Sequence, residues 1–225
     1  MGPYRFNVFN QIHKALRALM FDTVMQLQQT DMSDPETSRE VIARIHLLVN
    51  VFDTHAHHED HFVFNAAEIH APSLIAEFEQ EHEKDHQLSN EIRSLLAAYE
   101  VAEDKFLAGR ALYYAVNEFV AFNLQHTNKE ETILNEVLWK HYTDGEILEM
   151  QRNIERSVSP EEIAVIFEWM VRGINDMELL GWLNAVKREA PEFVLNMILE
   201  AGARHLPAAR WARIERALTE GVVVG

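Results

Sequence analysis

The stretch His55-Ala56-His57-His58-Glu59-Asp60-His61-Phe62-Val63 decides the fold, because it returns 71 residues later as His126-Thr127-Asn128-Lys129-Glu130-Glu131-Thr132-Ile133-Leu134. In each copy a His precedes a Glu by four, and an apolar pair follows one turn further on. On an α-helix that spacing puts His, Glu and the apolar pair on one face. Two such segments read as an internal repeat of a helical hairpin. Working outward, apolar residues recur at three and four almost throughout. Phe9, Ile12, Leu16, Leu19 and Phe21 start a first helix that stops near Asp31-Met32-Ser33-Asp34-Pro35. A second runs from about Thr37 to His70 and is halted by Pro72, a third from Ser73 to near Tyr99, and a fourth from about Asp104 to Tyr142. Four long helices on short connections predict an all-α fold, an antiparallel up-down four-helix bundle over residues 1–143.

Beyond Asp144-Gly145 the texture changes to shorter helices, a C-terminal extension over 144–225 packed on or beside the bundle. Helices are expected near 146–157, after Ser159-Pro160-Glu161-Glu162, and near 175–189, 192–203 and 208–220. Trp169, Met170, Trp182 and Leu183 read as core of this region. Arg204, Arg210, Arg213 and Arg216 with Trp211, Ile214 and Leu218 make a basic amphipathic helix that packs one face and solvates the other. A protein partner docked on this extension is the alternative use of that helix.

Composition limits the function. Of 225 residues, 36 are Asp or Glu against 20 Lys or Arg, a formal charge of −16, which argues against nucleic-acid or anionic-membrane binding. With no Cys, disulfides and Cys-ligated zinc or iron–sulfur sites are out, and His and carboxylates remain as the strong metal ligands. Met1–Phe9 is too polar for a signal peptide and no apolar run is long enough for a membrane span, so a cytoplasmic location is expected. Gly2 is not followed by the Ser or Thr at position 6 that myristoylation wants.

Eleven of the twelve His lie before residue 143. Besides His55 with Glu59 and His126 with Glu130, the third helix carries His82 and His86, four apart, and the first carries His13 between Phe9 and Leu16. Imidazole suits first-row metals, and a carboxylate can bridge two ions. The division that follows puts His82, His86 and His126 on one ion and His13 and His55 on the other, with Glu59 and Glu130 bridging. The second ion then keeps an open position for a small ligand. Phe52, Phe62, Phe119, Phe122, Leu134 and Val137 flank the ligand rows and keep them dry. A ferritin-type site needs Glu-x-x-His on two helices; Glu79-x-x-His82 and Glu83-x-x-His86 offer it on one only, since Phe52 and Asn123 precede His55 and His126. His57, His58 and His61 lie mostly off the His55/Glu59 face, with His58 nearest to it. His46, His70, His141 and His205 receive no role.

One lone His, His-x-x-x-Glu, His-x-x-x-His and His followed by a carboxylate, one element per helix in this order, resembles the hemerythrin-like (HHE cation-binding) family over roughly residues 5–140. The resemblance implies a non-haem di-iron centre, with Mn or Zn as possible occupants, held by His13, His55, Glu59, His82, His86, His126 and Glu130. Oxygen-carrying members place an Asp five residues after the last His, which corresponds to Glu131; Glu130 repeats the His55/Glu59 spacing and is preferred. The family's chemistry implies a non-enzymatic protein that binds or senses O2, NO or peroxide, or responds to iron availability. An alternative is a di-iron oxidoreductase or repair enzyme acting on peroxide, NO or damaged iron centres, with His58 as proton donor. Another is a metal-stabilised interaction module acting through residues 144–225.

Overall fold

The computed structural model describes residues 5–220, so the acylation reading of Gly2 falls outside the described residues. Among the described residues all regular structure is helical: α1 Asn10–Gln29, α2 Pro35–His58, α3 Asn65–Glu68, α4 Pro72–Val101, α5 Lys105–Lys129, α6 Asn135–His141, α7 Asp144–Ser157, α8 Pro160–Gly173, α9 Asp176–Glu189, α10 Glu192–His205 and α11 Ala208–Glu220. Two single π-helical turns interrupt the α-helical run, Glu59–Phe64 after α2 and Glu130–Leu134 after α5. No helix among the described residues is long and apolar enough to cross a membrane. The chain divides into two compact units, Met1–Phe9 with Leu19–Ile154, and Asn10–Ala18 with Glu155–Gly225.

In the first unit the helix starts follow from their caps. Asp34 accepts the Glu36 backbone N–H ahead of Pro35, and Asp104 accepts the Leu107 N–H, each satisfying a donor that the first helical turn leaves over. Pro72 opens α4 instead of merely ending its predecessor, because proline at the first helical position gives up no hydrogen bond. The buried face of α4 is Ile75, Phe78, His82, Asp85, Leu88, Ser89, Ile92, Leu96 and Tyr99, a stripe at alternating steps of three and four. Burying one such aliphatic or aromatic side chain is worth about 1.5–3 kcal/mol, so this stripe fixes which way the helix is turned. α5 answers it with Leu112, Val116, Phe119, Val120, Asn123, His126 and Thr127. Gly109 lets α5 close on Met32, since a Cβ there would lie 2.3 Å from the Met32 Cβ. The Tyr99 hydroxyl ties down the same turn by donating to the Met32 carbonyl at 2.7 Å. At the far end Val8, Phe9, Val63, Phe64, Phe78, Leu134, Leu138 and Ile147 form a common apolar cluster.

The second unit has its own core of Val171, Ile174, Leu179, Leu183, Ile198, Trp211 and Ile214. Ser159 with Glu162 and Asn175 with Glu178 form capping boxes that start α8 and α9. Glu178 also accepts hydrogen bonds from Asn10 and Lys14, and Gly173 admits the Lys14 carbonyl where a Cβ would stand 2.4 Å from it. α11 buries Trp211, Ile214 and Ala217, while Arg210 and Arg213 pair with Asp176.

Candidate metal centre

The repeated His-x-x-x-Glu closes in the same way in both copies. His55 Nε2 stands 3.1 Å from Glu59 Oε1, and His126 Nε2 stands 3.2 Å from Glu130 Oε1. His82 Nε2 lies between the two carboxylates, 3.7 Å from Glu59 Oε2 and 3.6 Å from Glu130 Oε1. Ligating atoms of His55, Glu59 and Glu130 all lie within 4.8 Å of one another, and so do those of Glu59, His82, His126 and Glu130. Both carboxylates therefore belong to both sets. Glu59, His82, His126 and Glu130 are all buried.

Carboxylates outside the cluster orient its imidazoles. Asp60 Oδ1 accepts from His82 Nδ1 at 2.6 Å, and Glu81 Oε2 accepts from His126 Nδ1 at 2.8 Å. Glu81 is itself held by an ion pair with Lys129. With Nδ1–H engaged, each ring presents Nε2 inward, the arrangement that orients and strengthens a metal-bound histidine. Phe64 stacks on the His82 ring at 4.7 Å and Phe122 on the His126 ring at 5.9 Å, with Phe78 edge-on to His126 at 5.8 Å. These rings exclude water, which strengthens every electrostatic interaction inside.

Burial is the largest single influence on the His82 imidazole and pushes its pKa down. The Asp60 and Glu130 hydrogen bonds and the charges of Glu59 and Glu130 together outweigh it, raising the pKa to about 10. His126 is raised as well, with burial opposed by Glu130 and Glu81. Glu130 is held low: burial and the Glu59 charge push it up, and His126 and His82 overcome both. Below the cluster, burial raises Asp85 against the hydrogen bond it accepts from Asn123 Nδ2 at 2.6 Å.

The structure brings together His55, Glu59, His82, His126 and Glu130 from the sequence reading and leaves His86 out. The His86 side chain is 65% exposed, with Nδ1 3.6 Å from Asp53 Oδ1, so its assignment as a ligand is corrected. The reason is the register of α4. From His82 the buried stripe steps by three to Asp85 and then by four to Ser89, passing His86 by. His13 is fully buried on α1, within the Asn10–Ala18 segment that clusters in the second unit. Glu131 is half-buried and in neither ligand set. Glu79 and Glu83, the carboxylates of the ferritin-type spacing, are exposed, as are His57 and His61, while His58 is half-buried against Phe62. Asp60 and Glu81 were missed, although each directly adjoins a ligand in sequence. Phe64 and Phe78 were also missed; Phe78 sits four residues before His82, where helical spacing alone points to contact.

No curated protein and no solved structure matches the chain. The family model of the hemerythrin HHE cation-binding domain matches residues 6–138, more than half of its length. That span takes in the whole Glu59/His82/His126/Glu130 cluster, and the chain belongs to the hemerythrin HHE cation-binding family.

Proposed function

We propose that the cluster is a non-haem di-iron centre that binds or senses a small ligand of the O2, NO or peroxide class, or reports iron availability, rather than turning over a substrate. The observation that carries this is the sharing of Glu59 and Glu130 between the two ligand sets. Two carboxylates common to two groups of imidazoles are what a pair of ions needs to be held side by side. His82 and His126 serve one ion and His55 the other, with His13 as its companion by the family pattern. His82 Nε2, buried and standing 3.6–3.7 Å from both shared carboxylates while Nδ1 is fixed by Asp60, fits a nitrogen reserved for a metal. An all-nitrogen-and-oxygen donor set suits iron, manganese or zinc. Bound ferrous iron would supply an open coordination position and electrons for a diatomic ligand.

The chain's own residues do the rest. Asp60 and Glu81 hold the two imidazoles in one tautomer, Glu59 and Glu130 balance the cations, and Phe64, Phe78 and Phe122 keep bulk water away. We read α1, α2 with its continuation through the π turn and α3, α4, and α5 with its continuation through the π turn and α6 as the up-down four-helix arrangement, a reading supported by the short connections between them. Metal analysis of protein purified without oxygen tests the proposal. Two irons per chain are expected, with loss of both in Glu59→Ala, since Glu59 belongs to both sets. One ion per chain, or none, would refute the pairing.

A further inference from the structure

Asn135 is fully buried, yet neither its Oδ1 nor its Nδ2 has a hydrogen-bond partner. A buried amide left unpaired is costly, so natural proteins keep one where a ligand or ordered water meets it. Its position comes from the π turn. The Asn135 backbone N–H donates to the Glu130 carbonyl, an i to i+5 bond, which stacks Asn135 directly one turn beyond Glu130. The internal repeat gives an independent bearing. Residue 135 corresponds, 71 positions earlier, to Phe64, which follows Glu59 by the same five residues across its own π turn. Phe64 is buried and stacks on the ligand ring of His82. One half of the repeat thus closes the centre with an apolar ring, and the other half places an unsatisfied amide at the equivalent position.

We propose that Asn135 is the hydrogen-bond donor which the centre offers to a small exogenous anion or diatomic ligand, an inference that rests on the paired-metal reading above. An amide suits this role because it donates without carrying charge. It therefore selects a ligand with a lone pair and does not compete for the metal as a carboxylate or imidazole in that position would. The surrounding residues Leu134 and Leu138 are buried and apolar, so the amide is the polar group that this stretch contributes.

The test uses azide on the iron-loaded full chain, with Asn135→Leu as the near-isosteric variant and Asn135→Ser as one that keeps a donor. Asn135→Leu is expected to retain metal at the wild-type level while azide affinity falls about 10- to 100-fold, the loss of one hydrogen bond to a charged acceptor. Asn135→Ser should fall between the two. The metal-free Asn135→Leu protein should melt no lower than wild type, because it loses no protein hydrogen bond. Unchanged azide affinity with full metal content would overturn the inference and assign the amide to a structural water. Loss of metal in Asn135→Leu, or a melting temperature several degrees lower, would overturn it equally. A wild-type chain that takes up no metal would sink the paired-metal reading and this inference with it.

Discussion

Loading the centre with a divalent cation near neutral pH should expel at least one proton, and the amount follows from His82. Its imidazole sits with Nδ1 on Asp60 and Nε2 between Glu59 and Glu130, which raises its pKa to about 10. At pH 7.5 the metal-free ring is therefore protonated by roughly 300 to 1, and freeing Nε2 for a metal costs about 3 kcal/mol. Affinity for Zn2+ should rise about tenfold per pH unit from 7 to 9 and level off above 10. The metal-free protein should show the opposite slope. A pKa raised in the folded state gives stability that is fully present below the unfolded value of 6.5 and is lost as pH climbs through about 10. Its melting temperature should thus fall from pH 7 to 9 while that of the loaded protein does not. Calorimetric titration with Zn2+ in two buffers of different ionisation enthalpy measures the proton directly. A binding enthalpy identical in both buffers, with an affinity flat from pH 7 to 9, would refute the protonated His82 and the charge arrangement that requires it.

Asp60→Asn and Glu81→Gln should each lower metal affinity about 10- to 100-fold, the usual cost of losing an outer partner of a ligating histidine. Asp60, with a side chain 49% exposed, belongs near the lower end, and the same titration measures both. His86→Ala should retain the metal content of the wild type and His82→Ala should not; equal loss in the two would restore His86 to the ligand set. Gly202→Ala would put a Cβ 2.2 Å from Trp211 Cζ3, so it should destabilise by about 1–3 kcal/mol in chemical denaturation, and a change under half a kcal/mol would refute that packing. Deleting Thr132 from the second π turn should leave a cooperative thermal transition within a few degrees of wild type, whereas deleting Gln125, inside α5, should abolish it; equal damage from both would refute the presence of one extra residue in the π turn.

The helices were legible because their signals are local. Asp104 and Ser159-Pro160 mark starts that the structure shows, whereas Pro35 and Pro72, read as stops, prove to open the helices that follow them; the steps of three and four place His82, Ile92 and Leu96 on one face. The His-x-x-x-Glu pairs were legible for the same reason, one helical turn being a fixed distance. His86 was misread because it shares its four-residue spacing from His82 with those pairs, while α4 continues its buried stripe through Asp85 at a step of three. Spacing on one helix does not tell on which side of a ligand the neighbouring helix lies. Asp60 and Glu81 escaped notice because a residue adjacent to a ligand points about 100° away on its own helix and reaches the site only by bonding a ring from another. His82 on α4 is oriented by Asp60 in the turn after α2, and His126 on α5 by Glu81 on α4.

The π turns explain the remaining mismatches together. On an uninterrupted α-helix the residues inward with Glu130 would be those three, four and seven further on, namely Ile133, Leu134 and Val137. In the structure Ile133 is 44% exposed, while Leu134, Asn135 and Leu138 are buried, at steps of four, five and eight. After Glu59 the buried positions are Val63, Phe64 and Ala67, the same steps, and Phe62 is only half-buried. Each turn thus takes in one extra residue and carries the downstream face forward by one position. This is why an apolar Ile is left outside and a polar Asn is brought in, against the hydrophobic pattern. Removing the extra residue returns Leu134, Asn135 and Leu138 to steps of three, four and seven, still inward. Removing a residue within α5 would instead rotate His126 and Glu130 by about 100° against the stripe formed by Leu112, Val116 and Phe119. Both extra residues begin immediately after a shared carboxylate, so the same device that keeps the apolar faces in register also sets which side chain follows each carboxylate toward the centre: Phe64 in one half, Asn135 in the other.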